Sequence, residues 1–163
     1  MRPISALSLA IWLLVVCVSR ADEAKPAAES KPRVESDRSA ARADLKALQG
    51  TWERVAMELE GKPAPDILIT GWSSSYEGDR LTLRNKDGVY RHGIVTLDPE
   101  RTPKATNTWD VEGPFADQTV PGIYELNGDT VKFCFARPGQ KRPTEFTTKR
   151  GTGFVYFEYK KKK

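Results

Sequence analysis

The side chains able to do chemistry are few and poorly grouped. The 163-residue sequence holds one histidine, His92, and two cysteines, Cys17 and Cys134. Zinc takes three or four imidazole, thiolate or carboxylate ligands at set spacings, so this set predicts no metal site. The strongest oxygen-only loop, Asn127-Gly128-Asp129, offers one carboxylate and is too short to cage calcium. Ser73-Ser74-Ser75 lies outside any Gly-x-Ser-x-Gly frame and has no motif placing a base beside it. Asp110 and Glu112 are two apart and share one face of an extended strand, as an acid and base pair would require; on a barrel's outer face the same pair is simply solvated. No catalytic residue and no cofactor follow, and the expectation is a protein that is not an enzyme.

The elements that could carry any site begin after an N-terminal run unlike the rest. Met1-Arg2-Pro3, the apolar stretch from Ile4 to Val18 and Ser19-Arg20-Ala21 match the charged, apolar and cleavage regions of a secretory signal. An apolar core of about 15 residues is short of the roughly 20 that span a bilayer. The organisation expected is a signal peptide over 1–21, a flexible linker over 22–44, a folded domain over 45–159 and a basic tail over 160–163. The product is then exported, periplasmic or extracellular, with no integral span in its mature chain. Cys17 raises a second reading, a lipid-anchored N-terminus, but the bulky Val16 sits where such a site wants a small residue.

Loss of the signal leaves 24 basic and 22 acidic residues, a balance that excludes a nucleic-acid binder. It also leaves Cys134 as the one cysteine, so the mature chain makes no internal disulfide and is read as a monomer held by packing. Between Phe133 and Phe135, Cys134 reads as a small, buried or half-buried apolar residue. Residues 22–42 carry only Val34 as a sizeable apolar group, too little to offset the entropy of ordering them, and a short helix over Ala40–Leu48 closes the linker.

Beyond Gly50 the texture is that of a strand meander, with runs rich in Val, Ile, Thr, Tyr, Phe and Trp between Gly, Asn, Asp and Pro. Strands are predicted over Thr51–Leu59, Ser73–Glu77, Arg80–Asn85, Val89–Leu97, Ala105–Val111, Thr119–Leu126, Thr130–Phe135 and Phe154–Tyr159, with Glu145–Lys149 as an extra. Gly78-Asp79, Asp87-Gly88 and Asn127-Gly128 supply hairpin turns, and short joints favour antiparallel neighbours. Alternations such as Leu81 and Leu83 against Thr82 and Arg84 bury one face of each strand. Eight strands in hairpin order predict an all-β fold, an up-and-down barrel whose closure removes exposed edges, with a short N-terminal helix.

Leu48-Gln49-Gly50-Thr51-Trp52-Glu53 resembles the start of a lipocalin-type barrel, where a helical turn leads into Gly-x-Trp. From Gly122-Ile123-Tyr124-Glu125-Leu126-Asn127-Gly128-Asp129-Thr130 through Val131-Lys132-Phe133-Cys134-Phe135-Ala136 to Pro138–Phe146, the chain resembles a family of secreted lipocalin-like domains of unknown function from planctomycete bacteria. The resemblance runs from about Leu45 to Tyr159 and implies fold and export but no activity. It places Gly50 and Trp52 where the barrel base closes. Lipocalins cover that Trp with an Arg of the last strand, where this sequence offers Glu158 and Lys160.

The function expected is binding of a small apolar or amphipathic ligand in the barrel. Alternation makes Val55, Met57, Leu83, Tyr90, His92, Tyr124, Phe133 and Phe157 the lining. If those side chains instead fill the interior, the alternative is a structural or interaction module of the cell envelope that meets a protein or polysaccharide through outer-face aromatics such as Trp72 and Trp109. A cavity above about 300 Å³ favours the first reading and a filled interior the second. The irregular stretch Ile67–Ser75 is a possible flap over the barrel mouth.

Overall fold

A computed structural model describes residues 31–163, and the side chains from Arg38 onward. The signal-peptide reading, Cys17 and residues 22–30 of the expected linker lie outside the described residues. The remainder of that linker is helical, because α1 runs Lys31–Leu48 and not merely over its last turns. Pro32 stands in the first turn, where its missing N–H costs no helical bond, and Lys31, Arg33, Glu35 and Arg38 are good helix formers that carry the predicted Ala40–Leu48 helix back to Lys31. Among the described residues no helix is long and apolar enough to cross a membrane.

The helix ends by docking. Leu48 is fully buried, and its carbonyl accepts the Trp52 indole N–H at 2.7 Å. Gly50, at φ +102°, makes the turn from helix to strand that a side chain would strain. Gln49 then clips the neighbouring hairpin: its amide donates to the Gly78 carbonyl at 2.9 Å and accepts the Gly78 N–H at 2.8 Å.

Nine strands follow: β1 (Gly50–Leu59), β2 (Lys62–Pro63), β3 (Ser73–Glu77), β4 (Arg80–Asn85), β5 (Gly88–Asp98), β6 (Ala105–Glu112), β7 (Thr119–Asn127), β8 (Thr130–Phe135) and β9 (Val155–Lys161). The two-residue β2 folds back on β1 alone. The other eight pair antiparallel with their chain neighbours, and β9 returns to β1 from Trp52↔Lys161 to Leu59↔Val155. The sheet is thus a closed eight-stranded up-and-down barrel, as the hairpin order predicts. Glu145–Lys149 is not a strand. It belongs to the long connection 136–154, which wraps the outer face: Arg142 donates to the Thr106 and Gly122 carbonyls, and Thr148 donates to Glu58. The last strand also takes in Lys160 and Lys161, which the sequence reading gave to the tail.

The barrel has a filled end and an open one. At the floor, against α1, Trp52, Tyr124, Val131 and Leu48 are at most 1% exposed and pack as one cluster. Asp44 of α1 accepts the Tyr124 hydroxyl at 2.6 Å and the Lys104 ammonium at 2.7 Å, which ties the helix to the barrel wall. Trp52 is covered by a cation, but it is Lys161 and neither Glu158 nor Lys160: the Lys161 ammonium lies 5.1 Å from the ring centre and donates to the Ala47 carbonyl. Cys134 points outward from β8 yet is fully buried, because the 136–154 connection covers it; its thiol lies 3.7 Å from the Thr147 carbonyl.

Candidate functional site

The end of the barrel opposite α1 holds a cavity of about 260 Å³. Its walls are apolar and aromatic: Leu81, Leu83, Phe133, Phe135, Val155 and Phe157. Polar groups converge from one side, with Arg54, Ser74, Tyr76 and Arg91 around mid-barrel and Arg137 from the 136–154 connection. The volume falls short of the 300 Å³ set for a drug-sized pocket, since the cluster around Trp52, Tyr124 and Val131 fills the floor of the barrel.

Two β-bulges decide which side chains reach this cavity. In β1 the register jumps from Arg54↔Tyr159 to Ala56↔Glu158, leaving Val55 unpaired. Trp52 and Arg54 therefore face inward before the bulge and Met57 and Leu59 after it, while Val55 stands outside, 41% exposed. In β5 the register jumps from Leu83↔Arg91 to Arg84↔Val89, leaving Tyr90 unpaired and 44% exposed. The inward positions of β5 are Arg91, Gly93, Val95 and Leu97; His92 is on the outer face, its Nδ1 3.2 Å from the Thr82 hydroxyl.

Of the eight residues assigned to the lining, Leu83, Phe133 and Phe157 line the cavity. Met57 faces inward beside Arg54 without bounding the cavity, its sulfur 3.8 Å from Arg54 Nη1. Tyr124 faces inward but is part of the packed floor. Val55, Tyr90 and His92 are corrections: Val55 faces outward because the β1 bulge reverses the parity running back from Met57, whereas His92 and Tyr90 face outward because the inward set of β5 is the odd-numbered one.

A third bulge corrects the carboxylate pair. His92 opposes Glu112 and Gly93 opposes Asp110, so Val111 is the extra residue and the two carboxylates lie on opposite faces. Glu112 is exposed on the outside. Asp110 is fully buried inside, 2.6 Å from the Arg91 guanidinium. Burial raises its carboxyl from 3.8 to about 6, against the pull of Arg91 toward the ionised form. The contact is ionic without good hydrogen-bond alignment, and both Asp110 oxygens, Arg91 Nε, Ser74 Oγ and Thr106 Oγ1 are buried without a hydrogen-bond partner among the described residues.

Arg54 is the largest feature absent from the sequence reading. It is 7% exposed and lies within 4.5 Å of the Trp72 ring centre and 4.6 Å of that of Phe157. Nη1 donates to the Leu68 carbonyl at 2.7 Å, and Nε and Nη2 donate to the Tyr159 hydroxyl at 3.3 and 3.1 Å. The irregular stretch is thereby placed: the 3-10 turn Asp66–Leu68 meets the guanidinium through the Leu68 carbonyl, and Trp72 through its ring. The signal for Arg54 was its spacing, two residues after an inward Trp52.

Among the described residues no group of three or more His, Cys, Asp or Glu side chains could hold a metal ion. No family model, curated protein or solved structure matches this chain.

Proposed function

We propose that the barrel binds a small amphipathic molecule in its open end, and that the chain is exported, as its resemblance to secreted lipocalin-like domains implies. The observation that carries the binding reading is the cavity of about 260 Å³, whose apolar walls close on a few convergent polar groups. Export rests on the charged, apolar and small-residue order of Met1–Ala21. A volume of this size holds roughly nine water molecules, so the ligand has about ten non-hydrogen atoms within the barrel.

The test is native mass spectrometry of the protein after exposure to a lipid and metabolite extract of its own cells. A reproducible added mass that disappears in Leu83→Glu supports the reading. A bare monomer mass under every condition sinks it. The envelope interaction module remains a second reading because Trp109 and Val111 of β6 are 45% and 48% exposed side by side on the outer face. A partner recovered through that face would be lost in Trp109→Ser and retained in Leu83→Glu.

A further inference from the structure

We infer that the inner end of the cavity is an anion subsite, and that the ligand is a medium-chain carboxylate of about eight carbons, bound head inward with its apolar tail against the barrel wall. This rests on the proposed binding function and adds the chemical class. Three observations carry it.

The first is a charge imbalance. Three arginines, Arg54, Arg91 and Arg137, line the cavity, and one carboxylate, Asp110, meets one of them. Among the described residues neither Arg54 nor Arg137 has an ion-pair partner. A guanidinium as buried as Arg54 is costly to keep charged without a counter-ion. Its carbonyl, hydroxyl and aromatic neighbours offset part of that cost, yet none supplies a negative charge.

The second is a surplus of donors. Ser74 is 2% exposed and lines the cavity near the Tyr76 hydroxyl, and its own hydroxyl has no hydrogen-bond partner of good geometry among the described residues. Arg91 Nε is likewise buried and unpartnered. Buried polar groups in native proteins have partners, and a set of unpartnered groups around one cavity marks a missing one. A carboxylate accepts from several donors at once; an alcohol satisfies fewer, and an ammonium can donate to Ser74 Oγ but offers nothing to Arg91 Nε and is repelled by the guanidinium groups.

The third is the order of groups along the barrel. Ser74 opposes Leu83, and Leu83 opposes Arg91, so these groups lie in one row across β3, β4 and β5. Phe135 and Val155, which oppose one another across β8 and β9, are the last residue of β8 and the first of β9, at the open end of the barrel. A head group at the row of Ser74 and Arg91 leaves its chain against these side chains, with Arg137 at the rim.

The experiment titrates the full-length protein with octanoate, octanol and octylamine by calorimetry near neutral pH. Octanoate is expected to bind at least about tenfold more tightly than octanol, and octylamine most weakly. In Ser74→Ala, octanoate weakens severalfold while octanol is unchanged; Arg54→Met, where circular dichroism shows it folded, loses the preference for the acid. Octanol or octylamine binding as tightly as octanoate, and lost in Leu83→Glu, overturns the anion subsite and leaves the cavity reading standing. No binding of any of the three overturns both.

Discussion

The Arg91 guanidinium meets the Asp110 carboxylate at 2.6 Å inside the barrel, with Asp110 wholly shielded from solvent. Burial acts on the acid more strongly than the arginine does, and the folded protein releases the Asp110 proton only near pH 6, against 3.8 ordinarily. Between those values the folded chain holds a proton that the unfolded chain has lost. Stability therefore falls as pH rises through that window and levels off above it. The contribution is at most about 3 kcal/mol. Urea denaturation of wild type and Asp110→Asn at the two ends of the window checks this: the variant lacks the falling component. Parallel pH profiles would show that Asp110 titrates normally.

Trp52 fills the floor with no exposed surface and bonds the last carbonyl of α1. Trp52→Ala removes that packing and leaves the Leu48 carbonyl without its partner, and is expected to cost about 3–5 kcal/mol. The urea midpoint measures it. A loss under about 1 kcal/mol would mean the floor collapses freely around the missing ring.

Cys134 is shielded by the 136–154 connection, and desolvation pushes its thiol up to about 11. A disulfide reagent at mildly alkaline pH is expected to leave Cys134 unmodified in the native protein and to label it at once in denaturant. Rapid labelling of the native chain would mean the connection opens readily from the barrel wall.

Gly122 faces inward opposite Phe135, and a Cβ there would lie 2.4 Å from the Phe135 ring and 3.0 Å from the Cys134 carbonyl. Gly122→Ala must push Phe135 toward the cavity or distort the β7–β8 pair. A destabilisation of about 1–3 kcal/mol is expected, with octanoate weakened and octanol weakened alike. Unchanged binding and stability would show that the ring has room to move aside.

The fold was legible because hairpin chemistry and alternation both act over a few residues. Ser73–Glu77, Arg80–Asn85 and Thr130–Phe135 begin and end where the sequence predicts. The site was legible only in part, since a lining is a matter of parity and one unpaired residue reverses it. Val55, Tyr90 and Val111 are ordinary strand formers, and nothing in their type marks them as bulges. The polar residues were hidden for another reason. Thr106, Thr108 and Asp110 face inward while the more apolar Trp109 faces out, so hydrophobicity points the wrong way along β6.

The chain enters the barrel through Gly50 and leaves it at Lys161, neighbours at the floor, where the Lys162 N–H donates to the Thr51 carbonyl at 2.8 Å. Both ends of the domain therefore emerge beside α1, and the cavity opens at the opposite pole. A tether or fused domain attached at either end leaves the opening facing away from its point of attachment.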